Sequence, residues 1–340
     1  MRRVIVIGGL GLFGRTAAER LAALGIDSQT ASRGSGADVR VDAEDGESIR
    51  AAIRAGDLVV DAAGPFQSRS TTLLEAAIDV GFDVLDINDN LAYAEQTIAL
   101  AEQIEKAGIR VLGSASSVSA VSAAAVNLSG ISNPVRLRGF IVPASRHTAN
   151  TGSAISLIGS VGRPVRTLRA GELRTLRGWD EARRFPMPQP VGNAVGRLFE
   201  SADAVHLPRI WSSLVDVATY VDTNTWGVNT LLRLAGRSSV VRRLLESQVE
   251  LGTRLSRSLG SNTGGLGYEI EDADGKVKRL AILASEAGFV TAVAPAILAA
   301  RAIVEDRFEP RGLVKPDEHV ETDELVKYLE SSSIRLAQLT

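Results

Sequence analysis

Residues 4–14 read VIVIGGLGLFG, and the reading of the fold turns on them. Four β-branched residues in a row, Val4 to Ile7, suit a strand buried on both faces. Residues 12–24 then carry apolar side chains at helical spacing, so the chain must turn sharply between a strand and a helix. In Gly9-x-Gly11-x-x-Gly14 one glycine makes the tight turn, a second lets backbone reach a pyrophosphate, and a third packs helix closely on strand. Gly8-x-x-Gly11-x-x-Gly14 fits a second register equally well. In both registers the helix N-terminus aims bare N–H groups and a positive dipole end at an anion. Gly8, Gly9, Leu10, Gly11, Leu12, Phe13 and Gly14 are therefore candidate dinucleotide contacts. The plain alternative is a glycine-rich turn that binds nothing.

Outward from this turn, strand-like and helix-like patterns alternate with short connections. Strands are expected near residues 4–7, 27–31, 39–41, 58–62, 84–87 and 110–112, and helices near 12–24, 47–55, 70–80 and 91–107. Such alternation builds a doubly wound parallel α/β sheet, with ligands at the carboxyl ends of its strands. After Ser114 the texture changes to a small-residue segment, and a second, mixed α+β domain follows. Its expected parts are a strand near 135–144, a hairpin near 165–176, an irregular connection marked by Pro186, Pro188 and Pro190, and a strand near 215–221. Helices near 227–235 and 239–259 and a hairpin across Asp272-Ala273-Asp274-Gly275 complete it. Helices near 287–304 and 321–330 form a tail that returns toward the first domain. The expected organisation is thus a dinucleotide domain at 1–118, a substrate or dimerisation domain at 119–286, and a C-terminal return at 287–340.

Composition narrows the chemistry. The chain has 340 residues, 45% of them hydrophobic, which is ample for two cores. A net charge of −2 implies no basic surface that would track nucleic acid or an anionic membrane, so neither is an expected partner. Without cysteine there is no thiolate nucleophile and no Cys-based metal site. Arg2-Arg3 before an apolar run hints at a signal peptide, but glycines interrupt the run and an arginine-bearing helix follows, so the cytoplasm is the expected compartment. Residues 111–135 carry no charge, yet their serines and asparagines make them too polar to span a membrane.

The strand ends supply the remaining candidates. Where an NAD enzyme carries an acid after its second strand, this sequence has Thr30-Ala31-Ser32-Arg33, and no carboxylate appears until Asp38. The Ser32 hydroxyl and the Arg33 guanidinium suit a 2′-phosphate, which favours NADP over NAD. Asp42-Ala43 follows the third strand, where a carboxylate can meet the adenine amino group or simply cap a turn. Ala62, Ala63, Gly64, Pro65 and Phe66 end the fourth strand with small residues that allow close approach of a bulky ligand. Asp86 ends the fifth, in Asp86-Ile87-Asn88-Asp89.

GGLGLFG, Ser32-Arg33, VDAEDGESI at 41–49, VVDAAGPF at 59–66 and DVLDIND at 83–89 together resemble the saccharopine dehydrogenase-like NADP-binding oxidoreductase family. The resemblance is strongest over residues 1–115, with weaker echoes in the GSAIS, RRFPMPQPVG and RGLVKPDEHV stretches. It implies a Rossmann domain, a mixed second domain, a C-terminal return and NADP. It also implies hydride transfer to or from a small molecule such as an imine, a secondary amine or an amino-acid derivative; the family extends to an enoyl reductase. The chain departs from the amine-linked members after the sixth strand, where Gly113-Ser114-Ala115-Ser116-Ser117-Val118 replaces a glycine-rich turn with proline. Ser116 and Ser117 are candidate substrate contacts.

No proton donor declares itself. The four tyrosines are followed four places on by Thr97, Asn224, Asp272 and Ser332, so the Tyr-x-x-x-Lys dyad of short-chain dehydrogenases is absent. Three scattered histidines leave no zinc ligand cluster, and no metal is expected. An iminium arrives already charged, and its reduction needs only hydride. His147 is the one catalytic candidate, beside Arg146 and shortly before Thr151, where a helix opens; Arg146 and Thr151 are candidate substrate contacts. The expected function is an NADP-dependent oxidoreductase, with an enoyl (C=C) reductase or a non-catalytic redox sensor as alternatives, and a homodimer as a possible assembly.

Overall fold

The VIVI segment forms β1 (Val4–Ile7), and all four of its side chains are buried. The computed structural model describes residues 2–285 and 288–339; the expected boundary between 286 and 287 lies outside the described residues. In chain order β1 is followed by α1 (Leu12–Ala23), β2 (Ser28–Ser32), β3 (Val39–Arg40), α2 (Gly46–Ala52), β4 (Leu58–Asp61) and α3 (Thr72–Val80). Next come β5 (Asp83–Asp86), α4 (Leu91–Ala99), α5 (Ala101–Ala107), β6 (Arg110–Leu112) and α6 (Ala120–Ser129). The middle of the chain holds β7 (Pro134–Val142), α7 (Ser145–Thr148), α8 (Thr151–Ser160), β8 (Pro164–Arg169), β9 (Glu172–Arg177), β10 (Ala182–Pro186), β11 (Asn193–Phe199) and α9 (Asp203–His206). It continues through β12 (Asp216–Val221), α10 (Val228–Arg237), α11 (Ser239–Ser247), α12 (Val249–Leu259), β13 (Gly264–Asp272) and β14 (Val277–Ala284). The last elements are α13 (Val290–Val304), β15 (Gly312–Leu313), α14 (Thr322–Ser331) and β16 (Arg335–Leu339).

These elements form two compact units, one reaching Ala123 and including Phe289–Leu325, the other running from Ala124 to Gly288 and including the chain from Val326 onward. The first unit is a seven-stranded parallel sheet in the order β15-β6-β5-β4-β1-β2-β3. Alternation along β1 explains why an unbroken apolar run was needed. Ile5 and Ile7 face Ile49, Leu73 and Ala77 on one side, while Val4 and Val6 face Ala17, Leu21, Val293 and Ile297 on the other. Each such side chain contributes roughly 1.5–3 kcal/mol when fully buried. The sheet reverses direction of travel between β1 and β4, and in this fold class the crevice outside the carboxyl ends at that point is where ligands bind.

The second unit is a mixed sheet in the order β10-β11-β12-β7-β13-β14-β16, with β8 attached to β12 and β9 to β8. Among the described residues only β12 and β7 run parallel within it. Its core stacks Phe140 against Tyr220 (5.3 Å between ring centres) and Phe185 (4.8 Å). The expected class, a Rossmann sheet followed by a mixed α+β domain, is the observed one.

Three local readings are corrected. The helix expected over 91–107 breaks at Leu100, and that over 239–259 breaks at Gln248, where ψ leaves the helical range at 1° and 28°. Apolar periodicity runs through both breaks and hides them. Pro186 ends strand β10 instead of belonging to an irregular connection; β10 is the edge strand, where a missing N–H costs no ladder bond. Both tail helices form, as α13 and α14, and past them the chain finishes in β16 against β14.

Candidate nucleotide-binding site

The glycine turn is built by contacts that exclude side chains. Gly8 has a φ of +76°, and a Cβ there would lie 2.7 Å from the backbone of Ala62 at the end of β4. A Cβ at Gly14 would lie 2.2 Å from the Gly8 carbonyl oxygen. Gly8 is thus the turn glycine and Gly14 the packing glycine, while Gly9 faces the Thr30 side chain and Gly11 caps α1. No side chain caps that helix and its first turn holds no acid, so its leading N–H groups point outward. Leu10 is exposed, and Arg15 donates to its carbonyl at 3.1 Å. Leu12 and Phe13 open the helix, with Phe13 packed against the core. This is a cradle that any Cβ would fill, and it fits a pyrophosphate.

Beside it, the Ser32 hydroxyl accepts from the Gly34 N–H at 3.0 Å, and Arg33 is exposed. Register pairs Ser32 with Arg40 on β3, setting a second guanidinium at the same edge. Sequence reading did not single out Arg40, because only strand pairing brings it next to Ser32. Asp38 is engaged: its carboxylate accepts from the Thr30 N–H (2.8 Å) and hydroxyl (2.7 Å), which holds its pKa below the ordinary carboxylate value. Asp42 closes its own turn through the Glu44 N–H at 3.0 Å, and Ala43 is packed in the core.

The end of β4 is clamped by a buried ion pair. Asp61 is fully buried and Arg69 donates to both of its oxygens, at 3.3 and 3.0 Å. Arg69 also donates to the Ala63 carbonyl (2.6 Å) and to Glu44 (2.6 Å), and its guanidinium lies 5.6 Å from the centre of the Phe66 ring. Burial works against the Arg69 charge, yet Asp61 more than restores it and the pKa is raised. Ala62, Ala63, Gly64 and Pro65 remain partly or fully accessible, with a cis bond between Gly64 and Pro65. Phe66 is turned inward, its ring 5.2 Å from that of Tyr93.

Asp86 lies beneath this edge with no exposure. One oxygen accepts from the Ser114 N–H (2.7 Å) and the Asn88 N–H (3.0 Å). The other has no hydrogen-bond partner among the described residues, and neither does the buried Tyr93 hydroxyl. Burial pushes the Asp86 carboxyl up to about 7 against those two donors, with the Asp61 charge adding to the rise. Asp89 is likewise pushed up by burial, to about 6. Sequence reading missed Arg69, Glu44 and Tyr93: none sits at a motif spacing, and the one available signal was that a buried Asp61 requires a cation.

Ser116 is buried and its hydroxyl closes a local turn with Val118; Ser117 beside it is half-buried. Arg146, His147 and Thr151 belong to the second unit. Arg146 donates to the Ser258 carbonyl at 3.2 Å, Thr151 is the exposed first residue of α8, and Asn150 supplies that helix's cap. Among the described residues no group of His, Asp or Glu could hold a metal ion. No helix of the described residues is long and apolar enough to cross a membrane.

A parallel sheet that sets a side-chain-free turn and an uncapped helix start at its reversal point defines a dinucleotide-binding fold. Residues 4–112 match the family described as saccharopine dehydrogenase NADP binding domain. Among solved structures, apo histidine-tagged saccharopine dehydrogenase (L-Glu forming) from Saccharomyces cerevisiae is similar over 100% of both chains, with 14% identity and a TM-score of 0.63; the likeness is one of fold. A mutant meso-dapdh with DAP from Clostridium tetani E88 aligns over 97% of this chain and 99% of its own, with 13% identity and a TM-score of 0.44. Comparison with curated protein sequences finds no match.

Proposed function

We propose that this chain is an NADP-dependent oxidoreductase that moves hydride to or from a small molecule, with an imine or secondary amine favoured. The observation that carries the reading is the edge where Ser32 and Arg33 end β2 and Arg40 stands in register with Ser32, next to the glycine cradle. Two guanidinium groups and a hydroxyl there suit a phosphate dianion better than a bare ribose. The cofactor, when bound, supplies hydride. The chain's own residues do the rest: the start of α1 holds the pyrophosphate, Ser32, Arg33 and Arg40 hold the 2′-phosphate, and Ala62, Ala63 and Gly64 leave room at the edge of β4. Burial pushes the Asp86 carboxyl up to about 7, so it can take up or release a proton near neutral pH beneath that edge. The absence of a Tyr-x-x-x-Lys dyad favours a substrate that arrives charged, as an iminium does.

Calorimetric titration with NADPH and separately with NADH tests the cofactor. Micromolar NADPH binding with much weaker NADH binding is expected, followed by oxidation of NADPH with a cyclic imine. Turnover confined to enoyl compounds would replace the imine reading with carbon–carbon reduction. Binding without turnover of any carbonyl, imine or enoyl compound would favour a redox sensor.

A further inference from the structure

Three consecutive helices of the second unit, α10, α11 and α12, turn apolar side chains away from the protein. Their inward faces are ordinary: Leu232 and Ala235 pack with Val161 and Trp179. Their outward faces are not. Leu231 and Leu234 on α10, Val240 and Leu244 on α11, and Leu251, Leu255 and Leu259 on α12 are all exposed, at spacings of three or four that align them along each helix. Val240 is 74% and Leu244 62% exposed, and Trp226, in the turn leading into α10, is 88% exposed. Single exposed leucines need no explanation, but a continuous set on three helices marks a surface that something covers.

Charge indicates what covers it. From Trp226 to Gly260 the chain carries six arginines against two glutamates, while the whole protein has a net charge of −2. One of those glutamates, Glu246, is already paired with Arg163. Arg233, Arg237, Arg243, Arg254 and Arg257 are exposed among the leucines. A second copy of the chain docked face to face would bring these arginines against one another. An anionic bilayer meets both demands at once, taking leucine and tryptophan side chains at the acyl boundary and guanidinium groups at the phosphates. Tryptophan in particular is favoured at that boundary.

We propose that the outward face of α10, α11 and α12 is a docking surface for an anionic lipid bilayer, on which the protein lies without spanning it. Overall charge had argued against a membrane partner; the local excess of arginine on amphipathic helices reverses that argument. The proposal is independent of cofactor and substrate.

The test is co-sedimentation of the full chain with vesicles of phosphatidylcholine alone and of phosphatidylcholine mixed with phosphatidylglycerol, alongside light scattering of the lipid-free protein. The expected result is sedimentation with the mixed vesicles only, weakened by salt, with a blue shift of tryptophan emission that Trp226→Ala removes. Leu244→Glu/Leu255→Glu should abolish it, and Arg243→Glu/Arg254→Glu should lower partitioning by at least about tenfold. These side chains are exposed, so a circular dichroism spectrum matching that of the parent is expected for both variants. Three results would overturn the proposal: no sedimentation of the parent protein, undiminished sedimentation of both double variants, or a stable lipid-free dimer that Leu244→Glu/Leu255→Glu dissolves. The last would assign the face to a second copy.

Discussion

Arg69 lies against Asp61 with both terminal guanidinium nitrogens donating to the carboxylate, and the pair is sealed, with side-chain exposures of 6% and 0%. Removing the cation alone leaves a buried charge uncompensated, so Arg69→Met should cost about 3–5 kcal/mol. Asp61→Asn/Arg69→Met should recover part of that loss. Urea unfolding of the two variants checks this, and a single-variant cost below about 1 kcal/mol would mean that water reaches the site.

Gly14→Ala should abolish dinucleotide binding while leaving the far-UV spectrum intact, because its Cβ would collide with the Gly8 carbonyl and displace the turn. Gly159→Ala, in α8 with open space around the new methyl, is the control. It should leave binding unchanged and raise stability by roughly 0.5–1 kcal/mol. Calorimetry that finds NADPH affinity unaltered in Gly14→Ala would remove the turn from the site.

Arg33→Glu and Arg40→Glu should each weaken NADPH by about tenfold or more and leave NADH nearly unchanged, since a charge-assisted contact to phosphate contributes about 1.5–3 kcal/mol. An unaltered ratio of the two affinities in both variants would detach the β2–β3 edge from cofactor choice.

Two buried groups make stability depend on pH in opposite senses. Asp86 has its folded pKa raised to about 7, so the folded state holds the extra proton and the contribution fades as pH climbs through 7. His319, fully buried with Nε2 3.2 Å from the Val314 carbonyl, is pushed down to about 4 by burial. The unfolded state binds that proton first, and stability falls as pH drops below about 6.5 toward 4. Relative to the parent protein, Asp86→Asn should therefore gain stability as pH rises from about 4 to 7, and His319→Gln should gain it as pH falls from about 6.5 to 4. Urea midpoints across both ranges decide, and flat differences would show that neither group titrates in the folded chain as described.

Much of the first unit was legible because its signals are short-ranged. An apolar run that must be buried on both faces, a glycine that needs a positive φ, and a strand end followed by small residues can each be recognised within a dozen positions. The helix breaks at Leu100 and Gln248 were not legible, since a break in backbone need not interrupt apolar periodicity. Strand β10 was obscured by Pro186, which reads as a breaker until its place at the sheet edge is known. Leu336 and Gln338 in β16 carry little strand signal until β14 offers an edge to pair with.

By itself the sequence determined the parallel sheet, the glycine turn and the Ser32-Arg33 pair at its edge, because steric exclusion at glycine and the two-residue strand period are properties of neighbouring residues. Only the tertiary structure decided that Arg40 stands beside Ser32, that Arg69 neutralises Asp61, that one oxygen of Asp86 is left without a partner, and that a row of leucines faces outward from three helices. Those facts join residues far apart in the chain, or depend on which face of an element the rest of the protein covers. No local pattern encodes them, because burial and pairing are set by the whole packed chain.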